Sequence, residues 1–128
     1  MRQAVKDMTL SVGWAFPNAV MQYALPRLEQ FSIDVGHLQR KRDLLVAALR
    51  DMGYGVQRPE GTFYLWVPSP IPDDLAFAKQ LAREDIFVLP GDMFEVAGFF
   101  RISLTANDDM IERSLPGFAA AIGQVAVV

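Results

Sequence analysis

Phe99-Phe100-Arg101-Ile102-Ser103-Leu104-Thr105-Ala106 restricts the possible folds of this chain more than any other stretch. Read with a period of two, Phe100, Ile102 and Leu104 share one face, while Phe99, Arg101, Ser103 and Thr105 share the other. Such a strand buries one side and leaves a permanently charged, fork-shaped donor among a ring and hydroxyls on its other side. A guanidinium so placed suits two-pronged recognition of a carboxylate or phosphate. An arginine on the wet side of a half-buried strand fits the same pattern, and the alternation alone leaves both open.

The surrounding periodicities predict an α+β layer. Residues 1–30 read as two helical pieces, with Ala4, Val5, Met8 and Val12 at helical spacing before a break at Gly13-Trp14-Ala15-Phe16-Pro17-Asn18. Pro17 suits the first turn of the second piece, and Pro26 should kink or shorten it. Residues 34–52 form the clearest helix, capped by Asp34, striped by Leu38, Leu45, Ala48, Leu49 and Met52, and stopped by Gly53. Strands are expected at Tyr54–Arg58, Thr62–Val67, Ile86–Leu89 and Phe99–Leu104, with turns at Arg58-Pro59-Glu60-Gly61 and Pro90-Gly91. A helix should start at Asp73 or Asp74 and run to about Arg83, with Leu75, Ala78, Leu81 and Ala82 inward. A last helix, capped by Thr105 or Asn107 and kinked near Pro116, carries Ile111, Leu115, Phe118 and Ile122. The expected fold is a small, mainly antiparallel sheet of about four strands packed against helices, preceded by an N-terminal helical segment.

Composition narrows the function classes. The net charge is −3, and the one basic run, Arg40-Lys41-Arg42, reads as a solvated helix face, so no nucleic-acid footprint is expected. The chain has no cysteine, which rules out disulfides and zinc–cysteine sites, and its one histidine, His37, cannot build a metal site by itself. Met1 to Lys6 is charged and precedes no signal-like apolar core. The uncharged run Ser114–Val128 is broken by Pro116 and two glycines. It is also shorter than the roughly 18 apolar residues a membrane span requires, so a cytoplasmic chain without a membrane partner is expected. Apolar and aromatic residues make up 52% of the chain. Counting its nine glycines and leaving out its three tyrosines gives about 56%, against roughly 45–50% in ordinary globular domains. That excess points to faces covered by another domain or subunit.

Three ordered stretches, Pro59-Glu60-Gly61-Thr62-Phe63-Tyr64-Leu65-Trp66, Val88-Leu89-Pro90-Gly91 with Phe94, and Phe100 to Ala106, resemble the C-terminal small domain of class I/II aminotransferases. These are the fold-type I enzymes that use pyridoxal 5′-phosphate. Gly13 to Ala19 also looks like the segment that follows the cofactor lysine in a bacterial branch of the family. The resemblance implies that residues 1–33 are a helical segment linking the large and small domains of a parent enzyme, and residues 34–128 the small domain itself. It implies that Arg101 binds the substrate α-carboxylate and that Phe63 and Tyr64 begin a strand bordering the substrate side chain, where structural packing is the other reading of both; Phe94 walls the cleft or fills the core. It further implies a homodimer whose loop bearing Trp14 and Phe16 reaches toward the partner's active site. The parent would move an amino group between an amino acid and a 2-oxo acid.

The family's cofactor lysine stands in a Ser-x-x-Lys context, which Lys6, Lys41 and Lys79 all lack. The chain is therefore expected to be a fragment without catalytic residues of its own, to bind no cofactor alone, and to be inactive without a large domain. Two other readings of the residues are a stand-alone α+β module holding a small carboxylate through Arg101 and a purely structural association domain.

Overall fold

The computed structural model describes residues 2–13, 18–28 and 31–125. They fall into two compact units, Met1–Asp34 and Val35–Val128. The first holds α1 (Arg2–Ser11) and α2 (Ala19–Leu28), the latter continuing past Pro26. Asn18 caps α2, its side-chain oxygen accepting from the Val20 N–H at 2.9 Å. Neither helix has a buried residue, although both carry large apolar side chains such as Val5, Met8, Val20 and Met21.

The second unit is a helix-backed sheet. Its elements are α3 (Val35–Asp51), β1 (Tyr64–Pro68), α4 (Asp74–Ala82), β2 (Leu89–Pro90), a 3-10 turn (Gly91–Phe94), β3 (Phe99–Ser103) and α5 (Asp108–Val125). The three strands run in the order β1-β3-β2, both pairs antiparallel. Leu65 and Val67 from β1 and Phe100 from β3 turn to one face and are fully buried there. Leu45 and Leu49 from α3, Phe77 and Leu81 from α4, and Phe118 from α5 complete this core. Phe100 meets Phe77 at 5.4 Å and Phe118 at 6.4 Å between ring centroids, which sets α4 and α5 behind this face. Tyr54 packs on all three rings and donates its hydroxyl to the Phe118 carbonyl at 2.8 Å. Burial pushes its phenol above the ordinary tyrosine range.

The strand count differs from the expected four. Tyr54–Arg58 joins no strand; its Tyr54 N–H and Val56 carbonyl bond to α3 instead. Gly53, at φ +97°, ends α3 in a Schellman turn, where the Tyr54 N–H donates to Leu49 and the Gly53 N–H to Arg50. Arg50 Nε then donates to the Val56 carbonyl at 3.0 Å. The expected strand Ile86–Leu89 shrinks to Leu89–Pro90 for a related reason: the Ile86 N–H is spent on Leu81 at the end of α4. In α4, Leu75 is exposed and Phe77 takes the inward place expected of it. Asn107, not Thr105, caps α5 by accepting from the Met110 N–H at 2.8 Å. The basic run on α3 is not a solvated face either. Lys41 donates to the Ala106 carbonyl, and Arg42 is buried against Asp43 and the Pro59 carbonyl. Their long side chains reach neighbouring elements, so only Arg40 of the three is exposed. Among the described residues, no helix is long and apolar enough to cross a membrane.

Candidate functional site

Strand alternation and register build one polar point on the uncovered face of the sheet. Arg101, at the centre of β3, pairs with Trp66 on β1 and Leu89 on β2, so these three side chains share the face opposite Phe100. Tyr64 and Ser103 form the next cross-strand pair on that face. The Arg101 guanidinium carbon lies 4.1 Å from the centroid of the Tyr64 ring and 4.3 Å from that of Phe94. Trp66 meets Phe94 edge-on at 5.7 Å. Two rings thus flank the guanidinium and hold it without cancelling its charge. Among the described residues, no carboxylate forms an ion pair with Arg101.

Tyr64 opens β1 directly after a loop anchored to α3, and Phe94 ends the 3-10 turn of a loop anchored to α4. Before Tyr64, the Pro59 carbonyl accepts from Arg42 at 3.3 Å, and Thr62 turns the chain at φ 66°. The Leu104 N–H donates to the Phe63 carbonyl at 2.8 Å, carrying the β1–β3 pairing one step beyond the strands. Asp43 joins Arg42 at 2.8 Å to Arg58 at 2.9 Å, and these hydrogen bonds, that from Arg42 first, lower its carboxyl to about 2. Phe94 sits in the loop that follows Gly91. A Cβ on Gly91 would stand 2.1 Å from the Val96 carbonyl oxygen and 2.8 Å from that of Phe99, so the backbone closes where only glycine fits.

Of the residues singled out from the sequence, Arg101 and Tyr64 are brought into contact. Phe63 is 40% exposed and its ring meets that of Tyr64 at a tilt, 4.4 Å between centroids. Trp14 and Phe16 lie outside the described residues. Phe94, open from its sequence between cleft wall and core, is the second ring on Arg101. Asp74 was missed as well: it reads as a rival cap beside Asp73 but is buried and accepts from two loop N–H groups. The doubled aspartate was its only sequence signal. A groove of about 610 Å³ lies elsewhere in this unit, lined by Leu45, Ile86, Ile102, Ile111 and Phe118, with no basic residue to meet an anion.

Residues 11–116 match the family described as aminotransferase class I and II. The chain belongs to that family. An LL-diaminopimelate aminotransferase of Dehalococcoides mccartyi is 31% identical over 127 residues, covering 93% of this chain and 33% of the relative. An aspartate/prephenate aminotransferase of Thermus thermophilus is 34% identical over 88 residues, covering 67% of the chain and 23% of the relative. The crystal structure of an amino transferase from Eubacterium rectale superposes with a TM-score of 0.84 at 26% identity, covering 91% of this chain and 29% of that one. The chain therefore spans about a third or less of the length of these relatives.

Membership of the family implies pyridoxal 5′-phosphate in full-length members, which makes the lysines informative. Lys41 and Lys79 stand on α3 and α4, and α4 packs behind the sheet through Phe77 against Phe100. Lys41 is already held by the Ala106 carbonyl and by Asp108, 3.6 Å away. Neither lysine belongs to the strands or loops that frame Arg101, so among the described residues of this unit no lysine stands beside Arg101 to hold the cofactor.

Proposed function

We propose that this chain is the C-terminal small domain of a pyridoxal-phosphate-dependent aminotransferase, in which Arg101 grips the α-carboxylate of the amino acid or 2-oxo acid. The observation that carries this reading is the guanidinium flanked by two rings, with no ion-pair partner among the described residues, on the sheet face that α3, α4 and α5 leave open. Its N–H groups lie in one plane and can meet both oxygens of a carboxylate. Tyr64 and Phe94 restrict the arginine's rotation and keep water from its flanks, while Phe63 and Tyr64 border the substrate side chain. When bound in the full-length protein, the cofactor supplies the electron sink that amino-group transfer needs. It and its lysine are assigned to a large domain outside these 128 residues, a reading supported by the share of the relatives that the chain spans. A homodimer belongs to the same proposal, with the segment bearing Trp14 and Phe16 directed at the partner subunit. The unburied apolar side chains of α1 and α2 support it.

The deciding experiment compares two substrate classes in the full-length enzyme. Arg101→Lys keeps the charge and loses the fork; Arg101→Ala loses both. Each should lower kcat/KM for amino acids by about tenfold or more, ~1.5–3 kcal/mol, and affect amines without a carboxylate much less. Equal losses for both classes would make Arg101 a structural residue.

A further inference from the structure

Two charged side chains are buried among the described residues of this unit, Arg42 at 8% and Asp74 at 3% exposure. Burying a charge is costly unless hydrogen bonds compensate it, so each calls for a physical reason. Arg42 has one in Asp43 and the Pro59 carbonyl. Asp74 is not needed to cap α4, because the Asp73 side chain already accepts from the Ala76 N–H at 2.8 Å. Instead a single oxygen, Asp74 Oδ2, accepts from the Asp92 N–H at 3.3 Å and from the Gly98 N–H at 2.8 Å.

Those two N–H groups mark the two ends of the loop that carries Phe94. Inside it, the Val96 N–H donates to Gly91 at 3.0 Å and the Glu95 N–H to Asp92 at 3.2 Å. Glu95 and Gly98 both adopt left-handed backbone, at φ 59° and 80°. A closed loop with both ends tied to one buried carboxylate moves as a unit. Phe94, midway along it, is the residue that meets Arg101.

We propose that Asp74 is a positioning residue for Arg101: it fixes the 91–98 loop so that Phe94 holds the guanidinium in its carboxylate-binding pose. The inference rests on the reading of Arg101 as the carboxylate clamp and extends it to a residue that contacts no substrate. Loss of the loop anchor frees a long side chain whose cation–π partner has moved away. Carboxylate affinity should then fall about two- to fivefold, the scale of one such contact.

The test uses the full 128-residue chain, labelled with ¹⁵N, and reads the Arg101 Nε–H resonance during titration with L-aspartate. In the unsubstituted chain, ring currents from Tyr64 and Phe94 should displace that resonance, and aspartate should shift it saturably. Asp74→Ala should reduce the displacement and weaken aspartate binding, and Asp74→Asn, which keeps one acceptor oxygen, should recover part of both. Phe94→Leu should give the same loss, and adding Asp74→Asn to it should change little more, because both act on one contact. Should Asp74→Ala fail to fold, Asp74→Asn and the double variant carry the test. An unchanged Arg101 resonance in a folded Asp74 variant, or fully additive losses in the pair, would overturn the proposal. A ring-displaced Arg101 that ignores aspartate in the unsubstituted chain would overturn the clamp reading instead, while leaving Asp74's hold on the resonance measurable.

Discussion

Trp66 stands directly across the β1–β3 ladder from Arg101, so indole and guanidinium emerge side by side on the face turned away from the helices. Both owe this to the same alternation. Leu65 and Val67 bury the other face of β1, and Phe100 buries that of β3. Shifting β3 by one residue would send the charge into the core and Phe100 into solvent. The hydrophobic core therefore sets the position of the arginine.

The loop beside this arginine should not tolerate a methyl group at Gly91. In Gly91→Ala the new Cβ would meet the carbonyl oxygens of Val96 and Phe99, which are backbone and cannot swing aside. Denaturant unfolding should show a loss of about 1–3 kcal/mol, the usual scale of overpacking. A variant within about 0.5 kcal/mol of the parent, the range of ordinary surface changes, would mean that the loop is free to relax.

Acid should weaken the Arg42–Asp43–Arg58 link in a defined window. Hydrogen bonds from Arg42 and then Arg58 lower the folded-state carboxyl of Asp43 to about 2, whereas an unfolded aspartate titrates near ~3.9. The unfolded state binds this proton first as pH falls, so the contribution is complete above about pH 4. It declines below that and is lost as pH passes through about 2. Melting curves of the parent and Asp43→Asn should differ by a constant amount at neutral pH and converge toward pH 2. A difference that persists unchanged below pH 2 would contradict the assignment.

Incubating the 128-residue chain with pyridoxal 5′-phosphate, reducing with borohydride and mapping the label should give no stoichiometric adduct at a single lysine. Lys41 is occupied by the Ala106 carbonyl and Asp108, and Lys79 projects from the helix layer. One fully labelled lysine accompanied by turnover of amino acids would refute the proposed division of labour.

The exposed apolar residues of α1 and α2, Val5, Met8, Val20 and Met21 among them, should drive association. Sedimentation across a concentration series should raise the average mass from 14.3 kDa toward twice that value. Exchanging Met8 and Met21 for glutamine should move the transition to higher concentration. A chain that remains monomeric throughout would show that these faces need no second copy.

Much of this architecture is legible from residues close together in the sequence. Helical spacing and Gly53 mark α3, because a Schellman end needs only a few neighbouring residues and one left-handed position. Alternation marks both faces of β3 and puts Arg101 opposite Phe100, since period two is a property of the strand itself. The ordered motifs also identify the family without any coordinates. The tertiary structure decided where one group could bond to several partners far apart in the chain. Tyr54–Arg58 has the composition of a strand, yet the Tyr54 N–H goes to Leu49 and the Val56 carbonyl to Arg50, both on α3. Asp73 and Asp74 are indistinguishable as letters, and only the arrival of the 91–98 loop turns one into a cap and the other into a buried anchor. Phe94 could have filled the core or faced solvent; closure of that loop sets it against Arg101. Local periodicity determines which way a side chain points, whereas its hydrogen-bond and ring partners depend on segments that meet only when the chain folds.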